Sequence, residues 1–259
     1  MKKFGIVLAA MLLSVLIADA RTVKKVYDID DFTGINATSA FEVVLEHSDE
    51  YRVEIEISEE FLPFLLVKNR GGVLEIKFTR LPFRLKQKNR NKVVRALIKM
   101  PTLTYVTLSG ASSLISNDQF TNPMEKLTID LSGGSEIKNL NAKSPEADIR
   151  LAGASKAVLS IRSGEIGVDL SGASRLDIQG DCNFLDAKLG GASRLTANEL
   201  DTEDVSVVAK GASTADVLPS VSLRVELSGA SKCRYFGDYE DLKIMTEKIA
   251  GASTLKRGN

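Results

Sequence analysis

Apolar residues recur at alternate positions on both sides of a three-residue motif that appears eight times. Gly-Ala-Ser or Gly-Gly-Ser starts at Gly110, Gly133, Gly153, Gly172, Gly191, Gly211, Gly229 and Gly251, at spacings of 23, 20, 19, 19, 20, 18 and 22 residues. Two residues before each Gly stand Leu108, Leu131, Leu151, Leu170, Leu189, Ala209, Leu227 and Ile249. Four before stand Val106, Ile129, Ile149, Val168, Ala187, Val207 and Val225, with Glu247 as the exception. Four after stand Leu114, Ile137, Ala157, Leu176, Leu195, Ala215, Cys233 and Leu255. A period of two on each side predicts two short strands with one buried face each, and no 3.6-residue period competes.

A strand pair repeated at a near-constant interval is the pattern of a stacked array. The sequence therefore predicts an all-β, β-helix-like solenoid of about eight Gly-Ala-Ser coils. Each Gly supplies the positive φ of a corner, each Ala is expected inside the bend, and each Ser is expected to bond neighbouring backbone or the next Ser in the stack. Between the two buried columns before the corner lies an outward column of Thr107, Asp130, Arg150, Asp169, Lys188, Val208, Glu226 and Lys248. Its alternating signs suit strands stacked in register.

Residues 21–100 lack the motif. Alternation at Phe41–Glu46, Arg52–Ile57, Val73–Phe78 and Val93–Met100 predicts strands. Glu59–Leu66 reads as a short helix with Ser58 as N-cap, and Gly71-Gly72 as a turn. The expected organisation is a signal peptide at 1–20, a β-rich capping module at 21–100 that shields the open edge of the first coil, and the solenoid at 101–259. At the other edge only Lys256 and Arg257 stand guard, which leaves end-to-end homo-oligomerisation open.

The leader is read from Lys2-Lys3, the apolar run Phe4–Ile17 and Ala18-Asp19-Ala20, which together predict export and cleavage before Arg21. No later segment is apolar enough to span a bilayer, so the chain is expected in the periplasm, at the cell surface or outside the cell. With 34 basic and 34 acidic residues the net charge is zero, which excludes a polyanion binder acting through overall charge. Export argues against nucleic acid. Cys182 and Cys233 fall in different phases three coils apart, too distant for a disulfide.

Catalytic chemistry finds little support. The single His, His47, sits beside Ser48-Asp49 in a turn, and eight equivalent corner serines are structural. No Cys-x-x-Cys, His cluster or phosphate-cradling loop is present, so no cofactor or metal is expected. Asp130 and Asp169 share the outward column, but Arg150 lies between them and favours a salt-bridge ladder over an acid–base pair. Two basic features could contact an anion or glycan. Lys156, Arg175 and Arg194 follow the corner Ser in three successive coils, and Arg84, Lys86, Lys88 and Arg90 lie within a run that has no acidic residue from Arg80 to Lys92.

Phe32-Thr33-Gly34-Ile35-Asn36, Phe41-Glu42-Val43-Val44-Leu45, and Met100-Pro101 leading into Leu108-Ser109-Gly110-Ala111-Ser112 resemble the putative auto-transporter adhesin, head GIN domain family. That resemblance covers nearly the whole chain beyond the leader. It implies secreted or envelope proteins, common in Bacteroidetes-type bacteria, with tandem Ser-Gly-Ala-Ser segments on a β-helix-like fold, and it carries over no catalytic residues. The expected function is non-catalytic binding of an envelope glycan or protein. The alternatives are a carbohydrate-active enzyme on the same scaffold and a structural element assembling through its ends.

Overall fold

The structure, a computed structural model, describes residues 22–82, 85, 94–237 and 240–258, and at residues 246 and 247 the backbone only. The segment read as a signal peptide, 1–20, lies outside the described residues.

Among the described residues, nineteen strands join one sheet system. The first seven are β1 (Thr22–Tyr27), β2 (Gly34–Thr38), β3 (Glu42–His47), β4 (Arg52–Ser58), β5 (Leu65–Arg70), β6 (Val73–Phe78) and β7 (Val94–Met100). Then follow β8 (Tyr105–Ser109), β9 (Ser113–Thr121), β10 (Leu127–Leu131), β11 (Glu136–Lys143) and β12 (Glu146–Leu151). Four long strands wind through the middle: β13 (Lys156–Leu170), β14 (Arg175–Leu189), β15 (Arg194–Ala209) and β16 (Thr214–Leu227). The array ends with β17 (Lys232–Tyr235), β18 (Lys243–Ile249) and β19 (Thr254–Arg257).

Every rung consists of a leading stretch that enters a corner and a trailing stretch that leaves it. Rungs stack in parallel, with like positions paired: Ile129 on Ile149, Ile149 on Val168, Val168 on Ala187. The three inward columns merge into one continuous core. The chain is a β-solenoid.

The corners explain why the motif repeats. All eight corner glycines have φ between 72° and 83°. From Gly133 onward, a Cβ on the corner Gly would stand 2.5–2.8 Å from the carbonyl oxygen of the corner Gly beneath it. That same oxygen accepts the N–H of the next motif residue at 2.7–2.8 Å. Glycine is thus required twice, by dihedral angle and by stacking distance. The seven serines from Ser112 to Ser231 turn inward and are at most 1% exposed. In five of them the hydroxyl donates to the carbonyl three residues back, at 2.8–3.1 Å.

The alanines do not lie inside the bend. They face outward and are exposed, because the inward place is taken by the Ser that satisfies the turn's own carbonyl. The hydroxyls likewise bond backbone, not one another.

The N-terminal strands join the stack out of order. β2 pairs with both β6 and β8, and β3 with both β7 and β9, all parallel. The rung made first is therefore second in space, between β6/β7 and β8/β9. Antiparallel strands finish that end: β4 on β7, β1 on β4, and β5 on β6 through the Gly71-Gly72 hairpin. Glu59–Phe64 forms a 3-10 turn, and Ser58 makes no side-chain cap bond to it.

Within β2, a Cβ on Gly34 would lie 3.0 Å from Tyr105 Cβ and 3.1 Å from Val73 Cγ2, one contact from each neighbouring rung. Ile35 is fully buried. Asn36 stands outward between Glu75 and Thr107. The Gly-Ile-Asn sequence is thus the seam at which a displaced rung is inserted.

Candidate binding face

Alternation sends the residue after each corner Ser outward. Backbone bonds hold that position in line: Lys156, Arg175 and Arg194 each donate N–H to the corner serine's carbonyl in the rung below, at 3.0 Å. The pairings Lys156–Arg175 and Arg175–Arg194 are direct, so three cations stand about 4.8 Å apart along the stack. The column continues to Glu136 on one side and Thr214 on the other. All three cations are exposed, and none forms an ion pair among the described residues. Asp177 shares the face two residues beyond Arg175 without pairing to it.

The leading face differs. Its outward column stacks in register from Thr107 to Lys248, but its charges are neutralised by pairs both within and between rungs. Arg150 lies 2.9 Å from Asp148 and 3.7 Å from Asp130, and Lys188 lies 2.9 Å from Asp186. Lys126 bridges Glu146 and Asp148. Burial alone would raise the Asp148 carboxyl, but the hydrogen bonds and charges of Lys126 and Arg150 outweigh it and hold the group below the usual carboxylate range. A general acid needs the opposite shift.

The remaining sequence candidates separate. Arg84, Lys86, Lys88 and Arg90 lie outside the described residues. His47 ends β3, with its backbone N–H on Asp118 Oδ2 at 2.9 Å and its ring edge-on to Phe120 at 5.6 Å. Cys182 and Cys233 are free and buried. Burial pushes the Cys233 thiol up to about 12, which makes it a poor nucleophile. No group of His, Cys, Asp or Glu that could hold a metal occurs among the described residues. No described helix is long and apolar enough to cross a membrane.

Sequence reasoning missed a second bend, present in four successive coils. Ser144, Ser163, Cys182 and Thr202 line its inner side, 10 or 11 residues after their corner glycines, and all are at most 8% exposed. Ser144 and Ser163 each donate to the carbonyl two residues on, at 2.9 Å. Small polar residues at that interval were the available signal. Two grooves, of about 600 and 440 Å³, run along this bend and share Asp181 and Asn183.

A family model described as putative auto-transporter adhesin, head GIN domain matches residues 31–238. The fold is similar to crystal structures of putative adhesins from Parabacteroides distasonis and Parabacteroides merdae. Each has a TM-score of 0.81 at 17% identity and covers 93% of this chain and 98% of the other. A putative lipid binding protein from P. distasonis is similar at TM-score 0.79 and 15% identity, with the same coverage. Identities this low establish the shared fold alone. No curated protein matches the chain significantly.

Proposed function

Because the chain belongs to the putative auto-transporter adhesin, head GIN domain family, we propose that it is an exported, non-catalytic binding protein whose trailing face contacts an acidic glycan of the cell envelope. One observation carries this reading. Three cations held in register by the backbone ladder have no anionic partner, while the cations at the centre of the leading face do. An unpaired row on a rigid face offers charge without first breaking internal pairs. The solenoid spaces that charge at strand intervals, which suits a polymer carrying regularly spaced acids. The leader-like start at Lys2-Lys3 and Phe4–Ile17 supports export. The carboxylates of the leading face that pair with Lys126, Arg150 and Lys188 support binding over acid–base catalysis.

The test is retention of the purified protein on immobilised acidic polysaccharides, against a Lys156→Gln/Arg175→Gln/Arg194→Gln variant. Binding should fall at least tenfold in the variant and weaken with added salt. Equal retention of both proteins, or none on any acidic polymer, overturns the reading.

A further inference from the structure

Next to the cation row, the rungs depart from regular pairing on both flanks of β13 and β14, besides further shifts between β9 and β11 and between β15 and β16. Between β11 and β13 the register moves from Ile137–Ala157 to Leu140–Leu159, three steps against two. Between β14 and β15 it moves from Asp177–Thr196 to Gln179–Glu199, two steps against three. Each shift places one extra residue in one strand, which is a β-bulge. The bulged strands are β11 and β15, and the regular β13 and β14 lie between them.

A basin of about 180 Å³ occupies that interval. Asn139 lines it from one bulge and Asn198 from the other, with Val158, Ser160, Gln179 and Glu199 between. Bulges re-aim side chains and are over-represented beside functional sites; here they bracket the basin at both ends. Its size lies below the roughly 300 Å³ at which drug-sized sites begin, which fits one ring of a longer ligand lying across the face.

The lining chemistry is specific. Ser160, Gln179, Asn198 and Glu199 make no side-chain hydrogen bond among the described residues. A hydroxyl and two amides can both donate and accept, while the carboxylates of Asp177 and Glu199 accept, a set that matches a ligand rich in hydroxyls. Val158, 46% exposed, gives the basin an apolar patch for the C–H side of such a ring. Arg175 and Arg194 stand two residues before Asp177 and Thr196 on the same face, about 7 Å along the strand. A guanidinium at that distance can take a carboxylate or sulfate in its two-pronged fork.

We propose that this bulge-bracketed basin, together with Arg175 and Arg194, is a subsite for one acidic sugar residue of a linear glycan. The proposal rests on the anion-binding reading of the trailing face and assigns it a place and a ligand class.

The experiment uses the purified protein with alginate oligosaccharides as the carboxylate probe, dextran sulfate as the sulfate probe and neutral dextran as the control. Binding is measured by calorimetry at low and at physiological salt. Val158→Trp fills the basin, and Gln179→Ala/Asn198→Ala removes two of its amides; Val158 and Gln179 are exposed and Asn198 half-buried, and thermal melting confirms that the variants fold. Alginate or dextran sulfate should bind, whichever is tighter identifying the anion, and both basin variants should lose at least tenfold in affinity with Arg175 and Arg194 intact. If the cation variant abolishes binding and the basin variants leave it unchanged, the subsite is wrong while the charged face stands. If no acidic polymer binds the parent protein, the functional reading itself fails.

Discussion

The two ends of this molecule reach the same stacked geometry by different means. From β8 to β19, order in the chain is order in space: each corner rests on the corner before it, and the buried columns are mostly Leu, Ile, Val and Ala. From β1 to β7 the order is broken, and the outermost parallel rung, β6/β7, is made after the rung it covers. Large rings do more of the packing there. Of the four Phe residues among the largest fully buried side chains, Phe32, Phe41 and Phe61 belong to this region and Phe120 to the solenoid. Phe41 and Phe61 both meet Phe78, at 5.1 and 5.6 Å between ring centres. The motif is therefore no requirement for a rung as such. It is a requirement for a corner that must rest on another corner.

The strongest way to break that comparison is to add one methyl group at two equivalent corners. Gly172→Ala would place Cβ 2.6 Å from the Gly153 carbonyl oxygen at φ +74°. Left-handed strain and overpacking against backbone together should cost about 3 kcal/mol or more. Gly110 has nearly the same φ, +75°, but it rests on Ser39, and its nearest contact would be Ser39 N at 3.5 Å. Gly110→Ala should then cost only the dihedral strain, roughly 1–2 kcal/mol. Urea denaturation of both variants checks this, and equal losses would remove the stacking explanation.

This contrast also explains what could be read from the chain alone. Eight corners announce themselves because stacking forces glycine at each. The ninth corner, at Ser39-Ala40, went unread because it holds no glycine: the residues keep φ at 80° and 67° without one. The insertion of β2/β3 between later rungs left no local signal, since parallel pairing depends on alternation and not on chain order. The bulge at Asn198 showed only as a coil of 20 residues beside coils of 19. The cation row was legible as a column, but its unpaired state was not. Arg150 lies two residues after Asp148 and pairs with it, whereas Arg175 lies two residues before Asp177 and does not.

A smaller effect, common to both regions, depends on pH. Hydrogen bonds from Arg52 and Lys77 hold the Glu54 and Glu75 carboxyls low in the N-terminal part, and Lys126 with Arg150 does the same for Asp148 in the solenoid. Each folded-state pKa is depressed, so each group stabilises the fold above its unfolded value, about pH 4. That stability is lost as pH falls through the folded value. Lys126→Met removes a partner from Asp148 and from Glu146 and leaves Glu54 and Glu75 untouched. It should lower stability at neutral pH by less than about 1 kcal/mol and flatten the decline below about pH 4. Melting temperature against pH measures it; an unchanged slope would mean that Arg150 suffices.

The smallest expected change has the opposite sign. Ser39 occupies the corner position under Gly110, with φ of 80°. The chain between β6 and β7, in the rung beneath, contains no glycine, so no stacked glycine carbonyl bears on a side chain there. The dihedral strain remains, worth roughly 1–2 kcal/mol for an L-residue. Ser39→Gly relieves it but gives the unfolded chain more freedom, which offsets about 0.5–1 kcal/mol. The net result should be a gain of about 0.5 kcal/mol, read as a small rise in the urea midpoint. Gaining a glycine helps at this corner, whereas losing one breaks the corners from Gly133 onward. If Ser39→Gly instead destabilised the protein, the Ser39 side chain would have to bear a load at this corner, and the division between a glycine-dependent solenoid and a glycine-independent N-terminal rung would no longer hold.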